Sequence, residues 1–427
     1  MFWITVEITI VIMILFLLLK TKSLYHPGVL FLSFWAVLVF LTKLQLFGLK
    51  MISDKIITVI FVGCISFFIG SILNSRKIVF GGSRVNKKHD ESQDNMDLIP
   101  LNGTIFFILL FICVASLLYR FSFQWKYLLM GYSISDIRYM GIVTYTHLLA
   151  IIFNFFSLPF LDAALTVLIT KNVLGNKGIK SYILPMFLLF LSGMSNGARL
   201  AVFQAGVIVL FSFIITQKLS WFYVKRLLII FACFVAFVVY INVNRHSTVS
   251  LLENLYSYFC GGLVLGDYVL TDGSYFNEYL YGFNSFNGVL RPFFTASEAF
   301  GISEPTLLEK AGEFMAYSMQ NTVISISDKG GMFNYFCTCF VYFFKDGGYI
   351  AVAVISFIYG RICKRSYSKM INKLSTRSLS FYLYIISGIF ISMMHFCFAS
   401  FIYTMTFFYI WLLTSKMKQI AIHAKHA

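Results

Sequence analysis

Charged residues are scarce in this sequence: Asp, Glu, Lys and Arg make up only 12% of its 427 residues, against roughly a quarter in soluble domains. Apolar residues account for 59%, and apolar stretches long enough to span a bilayer recur along the chain. This balance excludes a large soluble domain. It predicts an all-α, polytopic integral membrane protein in which residues 1–427 form a single transmembrane domain.

Motifs for metal and nucleotide chemistry are also absent. The chain has no Asp-x-Asp, no glycine-rich phosphate loop ending in Lys-Ser/Thr, no His-Glu-x-x-His and no Gly-x-Ser-x-Gly. Of its eight cysteines, only Cys337 and Cys339 are close together, and no second pair would complete a zinc site. We therefore expect free, buried thiols, no metal, no cofactor and no soluble nucleotide donor.

The apolar stretches predict about eleven membrane-spanning helices. The first stretch follows no basic residue and precedes no small-residue cleavage site, so we predict a retained helix and not a signal peptide. The predicted spans are 2–19, 28–42, 56–73, 103–119, 145–170, 181–193, 200–217, 227–243, 347–361, 380–398 and 400–415.

The distribution of basic residues predicts the orientation of these helices. With the N-terminus outside, 22 of the 34 Lys and Arg lie in cytoplasmic segments, as the positive-inside rule requires. The polar loop 74–99, the basic loop 361–379 and the C-terminus are then cytoplasmic. The six basic residues that anchor this orientation are Arg361, Lys364, Arg365, Lys369, Lys373 and Arg377.

The same orientation makes residues 244–346 one long outer region. Its middle part, 272–330, holds seven acidic and three basic residues. The Ser303-Glu304-Pro305 start and the apolar spacing over 307–319 predict an amphipathic helix at the outer interface. Because the basic loop must stay inside, 331–344 is predicted to be re-entrant from the outer face.

Several arginines near the outer surface are candidate anion ligands. Arg199 follows a small polar break before an apolar stretch, and Arg245 follows the next outward-going span. An arginine binds phosphate oxygens with two parallel bonds, although either side chain could instead snorkel to the interface. His246, next to Arg245, could act as a general base or be a simple polar neighbour.

Aromatic loops carry further candidates. Arg291 ends the stretch 281–291, which is rich in aromatic, amide and glycine residues and suits either sugar recognition or an interfacial aromatic belt. Arg120 and Arg138 lie in another aromatic outer loop, and Arg138 could pair with Asp136 or bind a second phosphate.

Polar and helix-breaking residues precede a late apolar helix. Asn334 and Thr338 are followed by Lys345-Asp346-Gly347-Gly348-Tyr349. Such residues at a helix N-terminus favour a corner that binds anions or hydroxyl groups. A purely structural helix cap is the alternative.

This layout resembles the bacterial O-antigen, or oligosaccharide repeat-unit, polymerases. The similarity covers about the last 230 residues and rests on the Ser-Asn-Gly-Ala-Arg199 turn, Arg245, the large late outer loop and the Asn334-x-x-x-Thr338 segment leading to Asp346-Gly347-Gly348. Gly347 replaces the aromatic residue usual at that corner. The resemblance implies a multi-pass protein of the bacterial inner membrane with a periplasmic N-terminus.

The resemblance also implies an activity and partners. The enzyme would join polyprenyl-diphosphate-linked oligosaccharide units at the periplasmic face, in contact with membrane lipids and with a chain-length regulator protein. Arg199 and Arg245 would neutralise the diphosphate leaving group. One residue would deprotonate the acceptor hydroxyl, and the candidates are His246, Glu278, Asp328 and Asp346. A flippase of the same lipid-linked glycan and an O-antigen ligase are the alternative functions.

Overall fold

The computed structural model describes residues 2–73, 103–132, 152–175, 179–196, 200–216, 251–272, 276–298, 305–316, 324–328, 332–333 and 337–415. Within these ranges the α-helices are α1 (Phe2–Thr21), α2 (Pro27–Lys43), α3 (Asp54–Ile72), α4 (Gly103–Leu129), α5 (Leu158–Leu174), α6 (Ile183–Asn196), α7 (Leu200–Ile215), α8 (Leu251–Thr271), α9 (Asn287–Glu298), α10 (Thr306–Ala316), α11 (Cys339–Asn372), α12 (Thr376–Ile391) and α13 (Phe401–Thr414). The strands described are β1 (Ile324–Ser325) and β2 (Met332–Phe333), which pair antiparallel.

The all-α prediction is confirmed, and the helices indicate a membrane protein. In the described part of the chain, five helices are long and apolar enough to cross a membrane: Phe2–Thr21, Asp54–Ile72, Phe106–Tyr127, Phe155–Leu174 and Cys339–Asn372. Helices overlap ten of the eleven predicted spans, although the helix in 380–398 ends at Ile391. Residues 145–151 and 217, and the whole of the span 227–243, lie outside the described residues. Since several of these helices are shorter than a bilayer core requires, the count of eleven crossings stays a prediction.

Helix α1 shows how these helices divide their surfaces. Val6, Ile10, Met13 and Leu17 recur at helical spacing and are buried. Other apolar side chains of α1 are exposed, Leu19 by 80%. In a membrane those side chains would face lipid, and only the narrow buried stripe would hold α1 to the bundle.

Helix α11 is two arms that reverse direction at a pair of glycines. In the first arm, 339–346, Phe340 lies against Gly63 at the middle of α3, and Phe344 lies beneath Lys55 near the start of α3. The first arm therefore runs antiparallel to α3. Gly347 and Gly348 then leave helical geometry, and Gly348 adopts φ 61° and ψ −148°, a conformation open in practice only to glycine.

The second arm of α11, 349–372, runs parallel to α3 and crosses it closely. A Cβ atom on Gly70 would lie 2.3 Å from the carbonyl oxygen of Phe357, and one on Gly360 would lie 2.4 Å from that of Phe67. Small residues let two helix backbones approach in this way. At the end of α3, the Arg361 guanidinium donates to the carbonyl oxygen of Leu73.

The start of α11 and the end of α12 meet halfway along α2. The amide of Cys339 donates to the carbonyl oxygen of Ser392 over 2.8 Å. The Ser392 hydroxyl in turn accepts from the indole of Trp35, the middle residue of α2, over 3.2 Å. The first arm of α11 thus begins inside the bundle and runs from there to one end of it.

That end, where α2 finishes and α3 begins, is called the corner end here. Helix α8 lies across it: the Tyr256 hydroxyl donates to the carbonyl oxygen of Leu41 over 2.7 Å, and Asp267 accepts from the amide of Ser53 over 2.8 Å. The prediction that these residues belong to an outer loop without a helix is wrong. The reason is that α8 carries Glu253 and Asp267 among its apolar residues and so lacks a span-like pattern.

The amphipathic helix predicted over 307–319 is present as α10. Leu308 and Ala311 are buried, and Phe314 packs 6.2 Å from the ring of Phe276. Its apolar face is thus covered by protein. The opposite end of the bundle, which holds the α1–α2 turn and the end of α11, is called the basic end. There α11 continues to Asn372, so most of the predicted basic loop is helical.

The prediction that the cysteines are free is confirmed for the seven that the structure describes. Each of them is buried and unpaired with another sulfur. Cys233 lies outside the described residues. These thiols pack among apolar side chains, as small hydrophobic residues do.

Candidate functional site

The most constrained polar feature of the corner end is the glycine corner, residues 345–349. Asp346 ends the first arm of α11 and is only 2% exposed. Its Oδ1 accepts from the amide of Asn284 over 3.0 Å, and its Oδ2 accepts from the amide of Ser285 over 2.9 Å. Two bonds from backbone amides to one carboxylate bind the loop 280–285 to the corner.

Backbone bonds strengthen the same connection. The amide of Leu280 donates to the carbonyl oxygen of Lys345 over 3.1 Å, and that of Tyr281 donates to the carbonyl oxygen of Asp346 over 3.0 Å. The side-chain amide of Asn284 donates to the carbonyl oxygen of Tyr342 over 3.1 Å. Because its carboxylate is buried and both oxygens have amide donors, Asp346 is placed to position the loop.

Lys345 lies beside Asp346, between aromatic rings. Its Nζ is 5.3 Å from the ring centroid of Phe314 and 5.8 Å from that of Phe276. It also donates to the carbonyl oxygen of Glu278 over 3.0 Å. A cation held against aromatic faces keeps its position better than one on a free surface side chain, so Lys345 joins α10, α11 and the chain around Glu278.

The surface above Lys345 carries a mixed set of charges. Glu278 and Lys310 form an ion pair of 2.8 Å, with side chains that are 46% and 39% exposed. Arg291 is exposed on α9, and its Nη1 lies 3.4 Å from the point where a Cβ on Gly312 would be. Exposed pairs contribute little stability, which leaves these groups able to exchange partners with a bound anion.

Aromatic side chains around the glycine corner are strongly exposed. Tyr281 is 76% exposed, Phe293 69% and Tyr279 43%. Tyr279 reaches the corner itself, with its hydroxyl 3.2 Å from where a Cβ on Gly348 would lie. Asn284 and Asn287 of the same aromatic loop are buried, so the rings and not these amides form its outer face.

The other described candidates lie apart from the corner. Asp328 is exposed, and its amide donates to the carbonyl oxygen of Gly48 over 2.9 Å, at the loop between α2 and α3. Arg120 lies within α4 and not in the outer loop predicted for it, because the helix continues to Leu129. Its guanidinium carbon is 4.4 Å from the ring centroid of Phe153. Thr338 is the buried residue before α11, and its hydroxyl has no hydrogen-bond partner among the described residues.

Five of the predicted site residues lie outside the described residues, so the structure does not place them. They are Arg138, Arg199, Arg245, His246 and Asn334. Of the described candidates, Asp346 is part of the glycine corner, Glu278 is bonded to Lys345 through its carbonyl oxygen, and Arg291 lies against α10 at Gly312. The sequence analysis did not single out Lys310, because its partner Glu278 is 32 positions away and no local pattern links them.

Another residue that no sequence pattern singled out is an acid within an apolar helix. Asp162 of α5 borders a cavity of about 10 Å³ that is also lined by Gln204 and Tyr384. This space is close to the size of one water molecule. An acidic group inside a membrane helix is costly, and such groups commonly mark a functional position.

Metal ligands do not gather at any point in the described part of the chain: no three His, Cys, Asp or Glu side chains there lie close enough to hold an ion. Comparison with protein-family models, with curated proteins and with solved structures finds no match for this chain.

Proposed function

We propose that this protein polymerises polyprenyl-diphosphate-linked oligosaccharide repeat units by glycosyl transfer at the periplasmic face of the bacterial inner membrane. Donor and acceptor are then both lipid-linked glycans, and the corner end of the bundle faces the periplasm. The product is an O-antigen or a related surface polysaccharide.

The observation that carries this proposal is the reversal of α11 at the glycine corner. The first arm begins halfway along α2, next to Ser392 and Trp35, and ends at the buried Asp346 at the corner end of the bundle. A re-entrant segment requires an arm of this kind, in which the non-helical residues at the ends of the arm are surrounded by protein. In the proposed orientation, this arm would bring a polar corner to the outer side, where a lipid-linked diphosphate meets its glycan.

The charges around the corner suit a reaction in which negative charge develops on the leaving group. Polyprenyl diphosphate is a good leaving group, so the site must mainly neutralise negative charge. Arg291 and Lys310 can do this at the corner, together with Arg199 and Arg245 as predicted from the sequence. The exposed rings of Tyr279 and Tyr281 offer flat apolar faces for sugar rings.

Glu278 is our choice among the described candidate bases. It is accessible, whereas Asp346 is buried under two amides, and Asp328 lies at the α2–α3 loop. When the anionic donor binds Lys310, Glu278 is released from its ion pair and can accept the proton of the acceptor hydroxyl. Asp346 then acts as a positioning residue that holds the loop 280–285 in place.

The proposal is tested by the length of the glycan on the surface of a deletion strain. Loss of a polymerase leaves single repeat units on the surface, whereas loss of a flippase or of a ligase leaves no glycan there. We expect single units in the deletion strain and long chains after complementation with the parent gene. A surface without any glycan would contradict the proposal.

Variants in the same strain test the residues. Lysine carries charge but lacks the planar fork of arginine, so we expect Arg199→Lys and Arg245→Lys each to shorten the glycan to single units at normal protein levels. Losing one charged hydrogen bond in the transition state slows the step by roughly tenfold to a hundredfold. Glu278→Gln should act similarly, while Glu309→Gln, an exposed acid on α10, should support long chains. Normal chain lengths in both lysine variants would show that these arginines are interface anchors.

A further inference from the structure

A cavity at the basic end lies far from the glycine corner. It has a volume of about 820 Å³ and lies between the second arm of α11, helix α12 and helix α13. Its lining residues are Ile362, Arg365, Ser366, Lys369, Asn372, Lys373, Ser375, Arg377, Ser378, Phe381, Ile385, Phe398 and Phe407. The proposed glycosyl transfer makes no use of it.

One side of this cavity is strongly basic. Arg365 and Lys369 lie one turn apart on one face of α11, and Lys373 follows directly after the end of that helix. Arg377 adds a fourth cation from the first turn of α12. No acidic residue is among the lining residues that the structure describes, so four like charges border one space and repel one another.

The other side of the cavity is apolar. Phe381 and Ile385 come from successive turns of α12, Phe407 comes from α13, and Phe398 comes from the connection between these helices. Phe398 and Phe407 stack, with ring centroids 5.9 Å apart and an angle of 11° between the ring planes. The cavity therefore passes from a cationic mouth to a wall of flat aromatic surfaces.

The connection between α11 and α12 holds the mouth in a defined shape. The Ser375 hydroxyl accepts from the amide of Ser378 over 3.2 Å, and the Ser378 hydroxyl accepts from the amide of Ser375 over 3.0 Å. This reciprocal cap fixes the first turn of α12. Arg377 is consequently held opposite the basic face of α11 and is not carried on a free loop.

We propose that this cavity binds an anionic phospholipid, with the phosphate among the four cations and one acyl chain along the aromatic wall. A soluble phosphate would satisfy the mouth but not the wall, and an uncharged lipid would satisfy the wall but not the mouth. The bound phosphate removes the repulsion among the cations. Basic pockets between helices at the cytoplasmic side of a membrane bind acidic headgroups in this manner.

Lipid binding to the purified full-length protein tests the proposal. Phosphatidylglycerol and phosphatidylcholine are titrated separately in detergent, and retained lipid is counted by native mass spectrometry. We expect at least one phosphatidylglycerol to be retained under conditions that remove phosphatidylcholine. Arg365→Gln combined with Lys369→Gln should weaken this binding about tenfold or more, since each basic residue contributes a sizeable attraction.

Two further variants separate the cavity from general surface charge. Lys171→Gln combined with Lys180→Gln removes the same charge elsewhere, and it should leave phosphatidylglycerol binding within about twofold of the parent. Ile362→Trp keeps all four cations but fills space beside the apolar wall, and it should weaken binding although the charge is unchanged. Thermal unfolding of each variant in detergent verifies that it is folded.

Three outcomes would overturn the proposal. Equal weakening by the Lys171 and Lys180 changes would show unspecific electrostatics. Competition by inorganic phosphate as effective as that by phosphatidylglycerol would show a phosphate site without a lipid chain. Unchanged binding in a folded Arg365→Gln, Lys369→Gln protein would place the lipid elsewhere. None of these results bears on polymerisation, which the glycan profile tests separately.

Discussion

The corner end and the basic end of the bundle use charge in opposite ways. At the corner end, several charged groups have defined partners: Asp346 accepts from two backbone amides, Glu278 pairs with Lys310, and Lys345 lies between aromatic rings. At the basic end, four cations border one cavity whose described lining contains no acid.

This difference separates two uses of charge. Paired charges and directed amide bonds hold one backbone geometry, which is what a site for positioning two substrates requires. The four cations of the basic cavity are exposed, and such a group of like charges favours an anion from outside. The glycine corner is therefore held by contacts within the protein, whereas the basic cavity suits an anionic ligand, and four experiments would break or sharpen this contrast.

The largest expected effect is the all-or-none difference in access to the two ends. Glu309→Cys on α10 and Lys369→Cys on α11 place thiols on exposed positions of the corner and basic ends. In intact cells, a membrane-impermeant thiol reagent should label the first variant fully and the second only after permeabilisation. Labelling of Lys369→Cys in intact cells would overturn the proposed orientation.

The next effect concerns the carboxylate that organises the corner end. Asp346→Asn removes the charge that two amides bond to, and each such bond contributes about 1.5–3 kcal/mol. We expect a loss of about 3 kcal/mol or more in the free energy of unfolding, measured by denaturation in detergent. Ser375→Ala at the basic end, which removes a helix cap, should lose only about 1 kcal/mol. Equal losses would mean that the corner is no more tightly organised than an ordinary cap.

Neighbouring glycines give a more local test of the corner. Gly348→Ala forces a side chain into φ 61° and places its Cβ 3.2 Å from the Tyr279 hydroxyl, and such strain costs about 1–3 kcal/mol. Gly347 has φ 165°, so Gly347→Ala should be much milder. Thermal unfolding of both variants compares them, and equal stability would show that the reversal of α11 does not depend on Gly348.

The effect that is smallest at neutral pH is a pH dependence at the basic end. Burial, with a contribution from nearby Lys364, lowers the pKa of His26 to about 3. The unfolded chain therefore binds a proton as the pH falls below 6.5, the ordinary pKa, while the folded chain does not. Stability from this group is complete above that pH and is lost as the pH falls toward the folded pKa, by about 1.4 kcal/mol per pH unit.

His26→Gln should remove that part of the pH dependence. The measurement is the unfolding midpoint of parent and variant across the mildly acidic range. A glutamine oxygen can still accept the bond that the amide of Gly28 donates to His26 Nδ1 over 3.2 Å, so the two proteins should be similar at neutral pH. Parallel pH profiles would contradict the assignment.

Apolar runs predicted most of the helices but not α8 and α9, and the stretch 281–291, predicted to be a loop, enters α9 at Asn287. Long apolar stretches such as Phe2–Thr21 are compatible only with an apolar environment. Their helices can therefore be recognised from the sequence. Helix α8 carries two acids that meet partners far along the chain, as Asp267 meets Ser53. Such a helix cannot be told from a polar loop until its partners are known.

The candidate site was predictable only in part. Asp346, Glu278 and Arg291 were named from residue type and from the resemblance. The structure places Asp346 in the glycine corner, Glu278 beside Lys345, and Arg291 against α10. Their roles were not evident, because whether a carboxylate is buried depends on the loop 280–285, about 60 positions away. Lys310 and the basic cavity escaped notice for the same reason.

By itself, the sequence indicated that the helices lie in a membrane and predicted the positions of most of them, because apolar content and apolar runs are local properties. It also placed a helix break at Gly347 and Gly348, since adjacent glycines after an acid disfavour a continuous helix. The tertiary structure alone decided that the first arm of α11 starts halfway along α2, that Asp346 is buried while Glu278 is exposed, and that four cations share one cavity. These features arise from contacts between distant parts of the chain, and a local pattern of residues does not contain such contacts.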